Sequence, residues 1–420
     1  MSFRDIRKFG GRLSGAEIRL LLLAALGLAL LLVANIALAR TLPGGEWLYL
    51  RWSGARAFLF EKAEPYSAAI AEKTQLVAYG RDAFSSEYGY ALNDPFYIVL
   101  LYVPLALFSD FAFARGVWML LSEAALIASV FFSIRLSEWD PPRGMLIALI
   151  VFVLFGYYSL LALISASASI FLLFIYLSIL LAIRSLNDEL AGGLLLLAAY
   201  QWETGALLFL FIVTAAVVNK RWRILSGFGM AALVALSVSF LTYPGWGIPY
   251  LRAVLSDWYR GAGLTLGAYL SQWFFNARFP AASALALALS VIVLLEWLGA
   301  FRSNFRRITW AASLSLAVAP LLGFAIFDSN HVVLTLPLIL TLSLAWERWR
   351  QRRVLTSALA LGLMFVAPYI FYAFCVATSQ RVYFDLLALF PPVIAIAALY
   401  WLRWLTVRAS QPWFEEARSR

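Results

Sequence analysis

The sequence predicts an all-α protein, a polytopic bundle of about 11–13 transmembrane helices forming one integral membrane domain over residues 1–420. Of the 420 residues, 63% are hydrophobic and only 13% are charged, and the mean hydropathy of +0.83 exceeds what a soluble domain can carry. Apolar runs of about 20 residues recur along the chain, each long enough to cross a hydrocarbon core of roughly 30 Å. The runs are continuous rather than alternating, which disfavours a closed barrel.

The basic residues indicate an orientation. The net charge is +10, and most arginines and lysines lie between apolar runs, in the segments "RDIRKFGGR", "NKRWR", "FRSNFRR" and "WERWRQRR". This is the positive-inside pattern, so the excess charge does not indicate nucleic-acid binding. The first run, Ile18–Ala39, ends in "ALAR" but is too long for a signal peptide. We therefore expect an uncleaved first span and a cytoplasmic N-terminus, in the plasma membrane of a bacterial cell.

Further apolar runs predict the remaining spans. We place them at Phe111–Arg135, Met145–Ile164, Ser169–Ile183, Trp222–Thr242, Ala281–Ala300, Ile308–Ile326, Val332–Trp346, Val354–Val376 and Tyr383–Leu405. Two regions are ambiguous. Phe96–Phe108 is short for a span, and Leu190–Val218 is either one tilted span or two half-spans broken at "QWETG". If "SEWDPPRG" and "NKRWR" are both cytoplasmic, the short segment does not cross and the long one breaks, which is the arrangement we prefer. In the alternative, every apolar segment crosses and "QWE" lies within the membrane.

Two long loops are predicted on the extracytoplasmic side, residues 40–95 and 243–280. In the first loop, Trp47–Phe60 and Tyr66–Tyr79 have helical periodicity and are separated by "AEPYS", which predicts two helices lying in the membrane interface. The second loop is aromatic, with Gly and Pro breaks. Short outward turns are expected at Ser165–Ser167, Gln201–Glu203, Asp328–His331 and Gln380–Val382.

The sequence contains no phosphate-binding glycine loop and no nucleophile elbow. One histidine and one cysteine, Cys375, exclude an intramolecular disulfide and disfavour zinc, so we expect no metal and no cofactor. The residues that could carry chemistry are polar groups near the outward membrane edges. They are Glu46, Arg51, Glu64, Asp94, Gln201, Glu203, Arg252, Asp257, Asp328, Asn330 and His331.

Several of these residues have two interpretations. Glu46 is either a solvated carboxylate just beyond a helix end or a general base at the bilayer surface. His331 either caps a helix or contacts a phosphate. Asp328 to Asn330 form a helix N-cap in the simpler interpretation, and Asp94, before Pro95, is expected to cap a helix rather than to act in catalysis.

Ionisable groups in or near spans cost several kcal/mol unless they are paired or face water. This argument applies to Glu203, Glu123, Glu296 and Asp385. For Glu123 we expect a structural ion pair with Arg115, two turns away on the same helix.

Three groups of residues together carry a family resemblance. The first group lies in the first loop and comprises Glu46 and Trp47, Trp52 with "GARAFLF", and Pro65 with Tyr66. The second is the segment "DPFYIVLLYVPLALFSDFAFARGVWMLL", with Ala114, Arg115 and Trp118. The third is the turn that contains His331, with Pro337 downstream. Over most of its length the chain resembles the GT-C class of polytopic glycosyltransferases, specifically glycosyltransferase family 87, which includes polyprenyl-phosphate-mannose-dependent α-mannosyltransferases. The chain departs from the family at four places. Glu46 stands for an aspartate, Asp94–Pro95 for Tyr-Pro, Ser165–Ser167 for Gly-Gln, and Gln201–Trp202 for Lys-Pro.

The resemblance implies a GT-C-like fold and transfer of a hexose, mannose in this family, from a polyprenyl-phosphate sugar to a lipid, glycan or protein acceptor. The implied partners are membrane lipid, this donor and that acceptor, without nucleic acid. The implied roles are base for Glu46, with Asp94 as its competitor, and assistance by His331. Phosphate binding falls to Arg51 and Arg252, and substrate binding to Gln201, Glu203, Asp328 and Asn330. The alternatives are a non-catalytic membrane subunit that keeps the fold, and a transporter of a lipid-linked substrate, which the absence of an internal repeat disfavours.

Overall fold

The computed structural model describes residues 15–84, 87–260, 264–273, 278–323 and 326–406, and the regular elements within them are helices. The first helices are α1 Gly15–Thr41, α2 Glu46–Arg56, α3 Ala68–Tyr79, α4 Phe96–Leu101, α5 Val103–Ala106, α6 Phe111–Leu136, α7 Arg143–Phe155, α8 Tyr157–Ile164, α9 Ser169–Arg184 and α10 Asp188–Ala198. They are followed by α11 Trp202–Val218, α12 Trp222–Thr242, α13 Gly247–Arg260, α14 Leu266–Trp273, α15 Arg278–Phe301, α16 Phe305–Val318, α17 Thr335–Arg348, α18 Arg353–Thr378 and α19 Arg381–Trp401. A π-helical turn covers Ala57–Glu61, and 3-10 turns cover Ala319–Leu322, Asp328–Leu334 and Arg403–Leu405.

Seven helical segments among the described residues are long and apolar enough to cross a membrane. They are Glu17–Thr41, Phe111–Leu136, Trp222–Thr242, Ser283–Ala300, Asp328–Arg348, Arg353–Thr378 and Val382–Trp401. The pair α7 and α8, bent by 46° at Gly156, makes an eighth if it is one span. The chain therefore has the character of a polytopic helical membrane protein.

The expected number of about 11–13 full spans is higher than this count. The difference lies in α9, α10, α11 and α16, which have 16, 11, 17 and 14 residues and are shorter than a bilayer-crossing helix. Every residue of α16 is buried except Arg306, which is partly buried, and the 3-10 turn at Ala319–Leu322 extends the helix. Short and irregular helices are tolerated at membrane depth where protein rather than lipid surrounds them.

The two ambiguous regions follow the preferred arrangement. Phe96–Phe108 is divided into the short helices α4 and α5, with Pro104 in the first turn of α5. The long run Leu190–Val218 is broken between α10 and α11, at residues 199–201. The predicted first-loop helices are confirmed as α2 with its π turn and as α3.

Contacts between loops define the two ends of the bundle. Trp139 lies against Trp346, with ring centroids 5.9 Å apart, and the Arg184 guanidinium lies 5.2 Å from the Phe305 ring. These residues stand at the ends of α6, α17 and α9 and at the start of α16, so the four termini share one end, which we call the basic end. The starts of α6, α9 and α17 therefore lie at the opposite end, which we call the site end.

Buried carboxylates in the bundle are paired, but not always as expected. Glu296 accepts hydrogen bonds from Arg307 and Arg403 at the basic end. The expected Glu123–Arg115 pair is wrong, because Glu123 accepts a hydrogen bond from Asn35 Nδ2 at 3.1 Å. Arg115 instead reaches backbone carbonyls at the end of α1, which lies beside α6.

Glycines bring α10 and α12 into close contact. A Cβ atom on Gly192 would overlap the Ile224 carbonyl oxygen, and one on Gly227 would overlap the Glu189 carbonyl oxygen. Gly193, one position along α10, has open space around its Cα. Small residues at such positions let helix backbones approach closely, which supports helix packing within a membrane.

We expect Gly192→Ala to destabilise the protein by about 1–3 kcal/mol, since the added methyl must push α12 away. Gly193→Ala is the matched control and should be neutral or slightly stabilising, because alanine favours helix and meets no neighbour. Thermal unfolding of the detergent-purified variants measures both. Equal midpoints for the two variants would contradict the close packing of α10 on α12.

Candidate functional site

A two-glycine turn leads into the helix that carries Glu46. Gly44 and Gly45 have φ of +110° and +85°, in the left-handed region that favours glycine. A Cβ atom on Gly45 would lie 2.8 Å from Cδ and Nε of Arg115, and one on Gly44 would lie 2.8 Å from the Ile164 carbonyl oxygen. The glycines therefore allow this turn to pass directly over Arg115.

Arg115 joins three segments at the site end. Its Nη1 donates to the carbonyl oxygens of Ala39 and Leu42 at 3.2 and 2.9 Å. Its Nη2 donates to those of Pro43 and Ile164 at 3.1 and 2.6 Å. The guanidinium therefore fixes the end of α1, the glycine turn and the end of α8 relative to α6.

Glu46 is the first residue of α2 and is partly buried. Burial raises the pKa of its carboxyl above the ordinary 4.5, against the opposing effects of a backbone hydrogen bond and of the positive charge on Arg115. The phenols of Tyr79 and Tyr90 lie close enough to feel the charge of Glu46. The interpretation of Glu46 as a freely solvated carboxylate is therefore wrong, and its raised pKa suits a group that accepts a proton from a hydroxyl.

Arg51 and Asp94, predicted as phosphate ligand and competing base, form a buried ion pair. They are 7% and 3% exposed, and Arg51 Nε and Nη2 donate to the two carboxylate oxygens at 2.7 and 3.2 Å. Burial alone lowers the pKa of Arg51, but Asp94 and the neighbouring Tyr102 and Tyr200 raise it above the usual value, so Arg51 stays charged. Each side chain is occupied by the other, so the two roles expected of them are not the ones that the structure shows.

The expected capping role of Asp94 is also wrong. Pro95, not Asp94, is the N-cap residue of α4, and both carboxylate oxygens of Asp94 accept hydrogen bonds from Arg51 instead. Tyr66 donates to the Asp94 carbonyl oxygen at 3.0 Å, which ties the segment between α2 and α3 to the start of α4.

His331 is buried in the 3-10 turn Asp328–Leu334. Its Nε2 lies 2.6 Å from the carbonyl oxygen of Ala388 in α19, and its ring meets the Tyr158 ring edge-on at 5.2 Å. Nδ1 has no hydrogen-bond partner within the part of the chain that the structure describes. His331 therefore contacts a neighbouring helix and does not cap its own.

The N-cap predicted at Asp328–Asn330 is wrong as well. Phe327 is the N-cap of the 3-10 turn, which has no side-chain cap, and Asp328 and Asn330 are half-buried members of the turn itself. The charge of Asp328 interacts with that of Asp385 on α19. Over the described residues, no three His, Cys, Asp or Glu side chains form a group able to hold a metal ion.

A cluster of aromatic rings connects Glu46 with the His331 turn. The Trp47 ring lies 5.2 Å from Phe327, 5.2 Å from Tyr88 and 5.4 Å from Tyr90. Ser169, at the start of α9, donates from Oγ to the Ser329 carbonyl oxygen at 3.0 Å. The structure thus brings Glu46, Arg115 and the turn of Asp328, Asn330 and His331 to one end of the bundle, as the predicted outward loops require.

The remaining predicted residues lie around this centre. Gln201 and Glu203 flank the start of α11, next to Tyr200, whose ring lies 5.8 Å from the Arg51 guanidinium. Arg252 is exposed on α13, and Glu64 is exposed in the first loop. The side chain of Asp257 lies outside the described residues.

Sequence reasoning missed the roles of Arg115 and the glycine pair. A signal was present, since two glycines directly before a helix-starting acid indicate a turn that packs closely on something. What the turn packs on, Arg115 in α6, was not visible in the local sequence.

Comparison with known proteins leaves the family open. No family model matches the chain, and no curated protein or solved structure matches it either. The resemblance to glycosyltransferase family 87 therefore stays a prediction.

We expect Asp94→Asn to destabilise the protein by about 3–5 kcal/mol, because it leaves the Arg51 charge buried and unpaired. The double variant Arg51→Met, Asp94→Leu removes both charges and should recover most of this loss. Thermal unfolding checks this, with Glu61→Gln, in the exposed pair Lys73–Glu61, as a control without effect. A double variant as unstable as Asp94→Asn would contradict the charge argument.

We expect Glu46→Gln to raise the unfolding midpoint at neutral pH. A raised native pKa means that the native state favours the protonated carboxyl, so this stabilisation is present below the ordinary 4.5 and is lost as pH rises through the native pKa. Glutamine stays neutral throughout. The gain of the variant over the parent should therefore shrink as the buffer is acidified towards that value, and a gain independent of pH would contradict desolvation of the Glu46 carboxylate as its cause.

Proposed function

We propose that this protein transfers a hexose, mannose in the first instance, from a polyprenyl-phosphate donor to an acceptor hydroxyl at the site end, with Glu46 as general base. The observation that carries the proposal is the placement of Glu46. A desolvated carboxylate at the start of α2 is held beside Arg115 by the glycine turn. The family resemblance supports the choice of donor.

The step needs one proton acceptor and one leaving anion. The Glu46 carboxylate takes the proton of the acceptor hydroxyl while the hydroxyl oxygen forms a bond to the anomeric carbon of the sugar. The bond from that carbon to the phosphate oxygen breaks, and polyprenyl phosphate leaves with the electron pair. A base with a raised pKa receives this proton more readily than an ordinary carboxylate does.

Interfacial helices suit a donor that stays in the bilayer. The side chains of Leu59 and Phe60 in the π turn are exposed, as are Ile248, Leu251 and Leu255 on α13. Apolar groups on helices at the site end give a lipid tail a surface to lie against. A donor can then approach laterally while its sugar phosphate stays at headgroup depth.

The ion pair of Arg51 changes which cation is assigned to the phosphate. Because Arg51 is committed to Asp94, we assign the phosphate to Arg252, which is exposed on α13 among apolar side chains. The planar guanidinium of arginine matches two phosphate oxygens. His331 lies in the turn that follows Phe327, and its Nδ1 is buried and has no hydrogen-bond partner among the described residues.

A second candidate function is a non-catalytic membrane subunit with the same fold. The packing of Trp47, Tyr88, Tyr90 and Phe327 beside Glu46 favours it, because mutually packed rings hold a structure together without a substrate. The two functions differ in one measurable respect: only the enzyme needs the Glu46 carboxylate.

The deciding experiment measures transfer of labelled mannose from polyprenyl-phosphate mannose by purified protein in liposomes supplied with lipid-linked and soluble glycan acceptors. We expect Glu46→Gln to lower the rate by about 100-fold or more, the effect of losing a general base. Glu72→Gln, on the exposed face of α3 in the same loop, is the matched control and should keep the parent rate.

Full activity of Glu46→Gln would exclude Glu46 as the base. If the parent protein transfers no sugar to any acceptor, and its Glu46→Gln variant unfolds at a higher temperature than the parent, the result favours the non-catalytic function.

A further inference from the structure

A concentrated group of arginines and tryptophans stands at the basic end, far from the candidate site along α17. We call it the basic corner; it comprises Arg348, Trp349, Arg350, Arg352, Arg353, Trp401 and Trp404. The residues come from the end of α17, the loop to α18 and the end of α19 with its 3-10 turn. The proposed sugar transfer uses none of them.

Three tryptophans surround Arg348. Its guanidinium carbon lies 5.3 Å from the Trp349 ring centroid, 5.6 Å from Trp401 and 5.4 Å from Trp404. The rings of Trp349 and Trp401 are themselves 5.2 Å apart. Cation–π contacts of this kind orient the guanidinium without cancelling its charge.

The positive charge of the corner is not neutralised by the nearest acids. Glu347 pairs with Arg306, and Glu296 pairs with Arg307 and Arg403. Within the described residues, no carboxylate lies within ion-pair distance of Arg348, which is exposed. Its N–H groups are therefore available to an anion from outside the chain.

The surface next to this charge is apolar. Trp401 and Trp404 are 59% and 46% exposed, and the first turns of α18 continue from Arg353 with exposed Val354, Leu355 and Leu359. Exposed tryptophan beside arginine is typical of the headgroup level of a membrane, and an apolar helix face below it lies against acyl chains. The basic corner therefore places an anion-binding group next to an apolar surface, as the headgroup phosphate and the acyl chains of a phospholipid require.

We propose that the basic corner is a binding site for an anionic phospholipid, with the headgroup phosphate on Arg348 and the acyl chains along the start of α18. Arginine donates two parallel hydrogen bonds to a phosphate, and basic pockets between helices at the cytoplasmic face bind anionic headgroups. The positive-inside pattern assigns this end to the cytoplasm. A bound lipid would connect α17, α18 and α19 at their ends.

The test is native mass spectrometry of the full chain in detergent, titrated with phosphatidylglycerol or with phosphatidylcholine of the same acyl chains. We expect phosphatidylglycerol to bind more tightly to the parent and Arg348→Gln to weaken it by about tenfold. Arg348→Lys keeps the charge but not the planar fork and should give an intermediate loss. Trp401→Leu keeps an apolar side chain, removes one ring and should also weaken binding severalfold.

Arg223→Gln is the matched control. Arg223 is an exposed arginine at the start of α12, in another basic segment of the positive-inside pattern, and it lies next in sequence to the Arg221–Asp188 ion pair. It should leave the affinity within about twofold of the parent. Equal binding of the two lipids would overturn the proposal, and so would equal losses in Arg348→Gln and Arg223→Gln, which would indicate unspecific attraction. The outcome is independent of whether the protein transfers sugar.

Discussion

The four hydrogen bonds from Arg115 to backbone carbonyls are the interaction on which the site end depends. The last carbonyls of a helix have no partner in their own helix and carry the negative end of its dipole. Arg115 supplies donors to such groups at the ends of α1 and α8 at once. The glycine turn then crosses the same guanidinium, so α2 can begin only where it does, and the position of Glu46 follows from that start.

Local patterns in the sequence were sufficient for most of the helices. The bounds predicted for α6, α12 and α18 agree with the structure to within a few residues, because each is a continuous apolar run between polar breaks. The break before α11 and the two helices of the first loop were also predicted, since Gly, Pro and the helical period are local signals. The number of full spans was not predicted correctly, because a short helix that is buried in protein has the same high hydropathy as a long helix that contacts lipid.

The choice of partners could not be predicted in the same way. Arg51 finds Asp94 across 43 residues, and Glu123 finds Asn35 across 88. Sequence spacing favours partners on the same helix, whereas these two contacts join segments that only tertiary packing brings together. The site end could therefore be predicted as a group of residues, but the role of each depended on tertiary contacts.

At both ends of the bundle, buried arginines bond to protein groups. At the site end, Arg51 and Arg115 are buried and their hydrogen bonds go to protein groups. At the basic end, Glu296 is buried with guanidinium partners, and Asp188 is part-buried against Arg221. Glu46 differs from these acids, because the arginine whose charge acts on it is Arg115, and Nη1 and Nη2 of Arg115 already donate to four carbonyls. A desolvated carboxylate that no guanidinium pairs with lowers the stability of the folded protein. Such a carboxylate is suited to accepting a proton, because its pKa is raised.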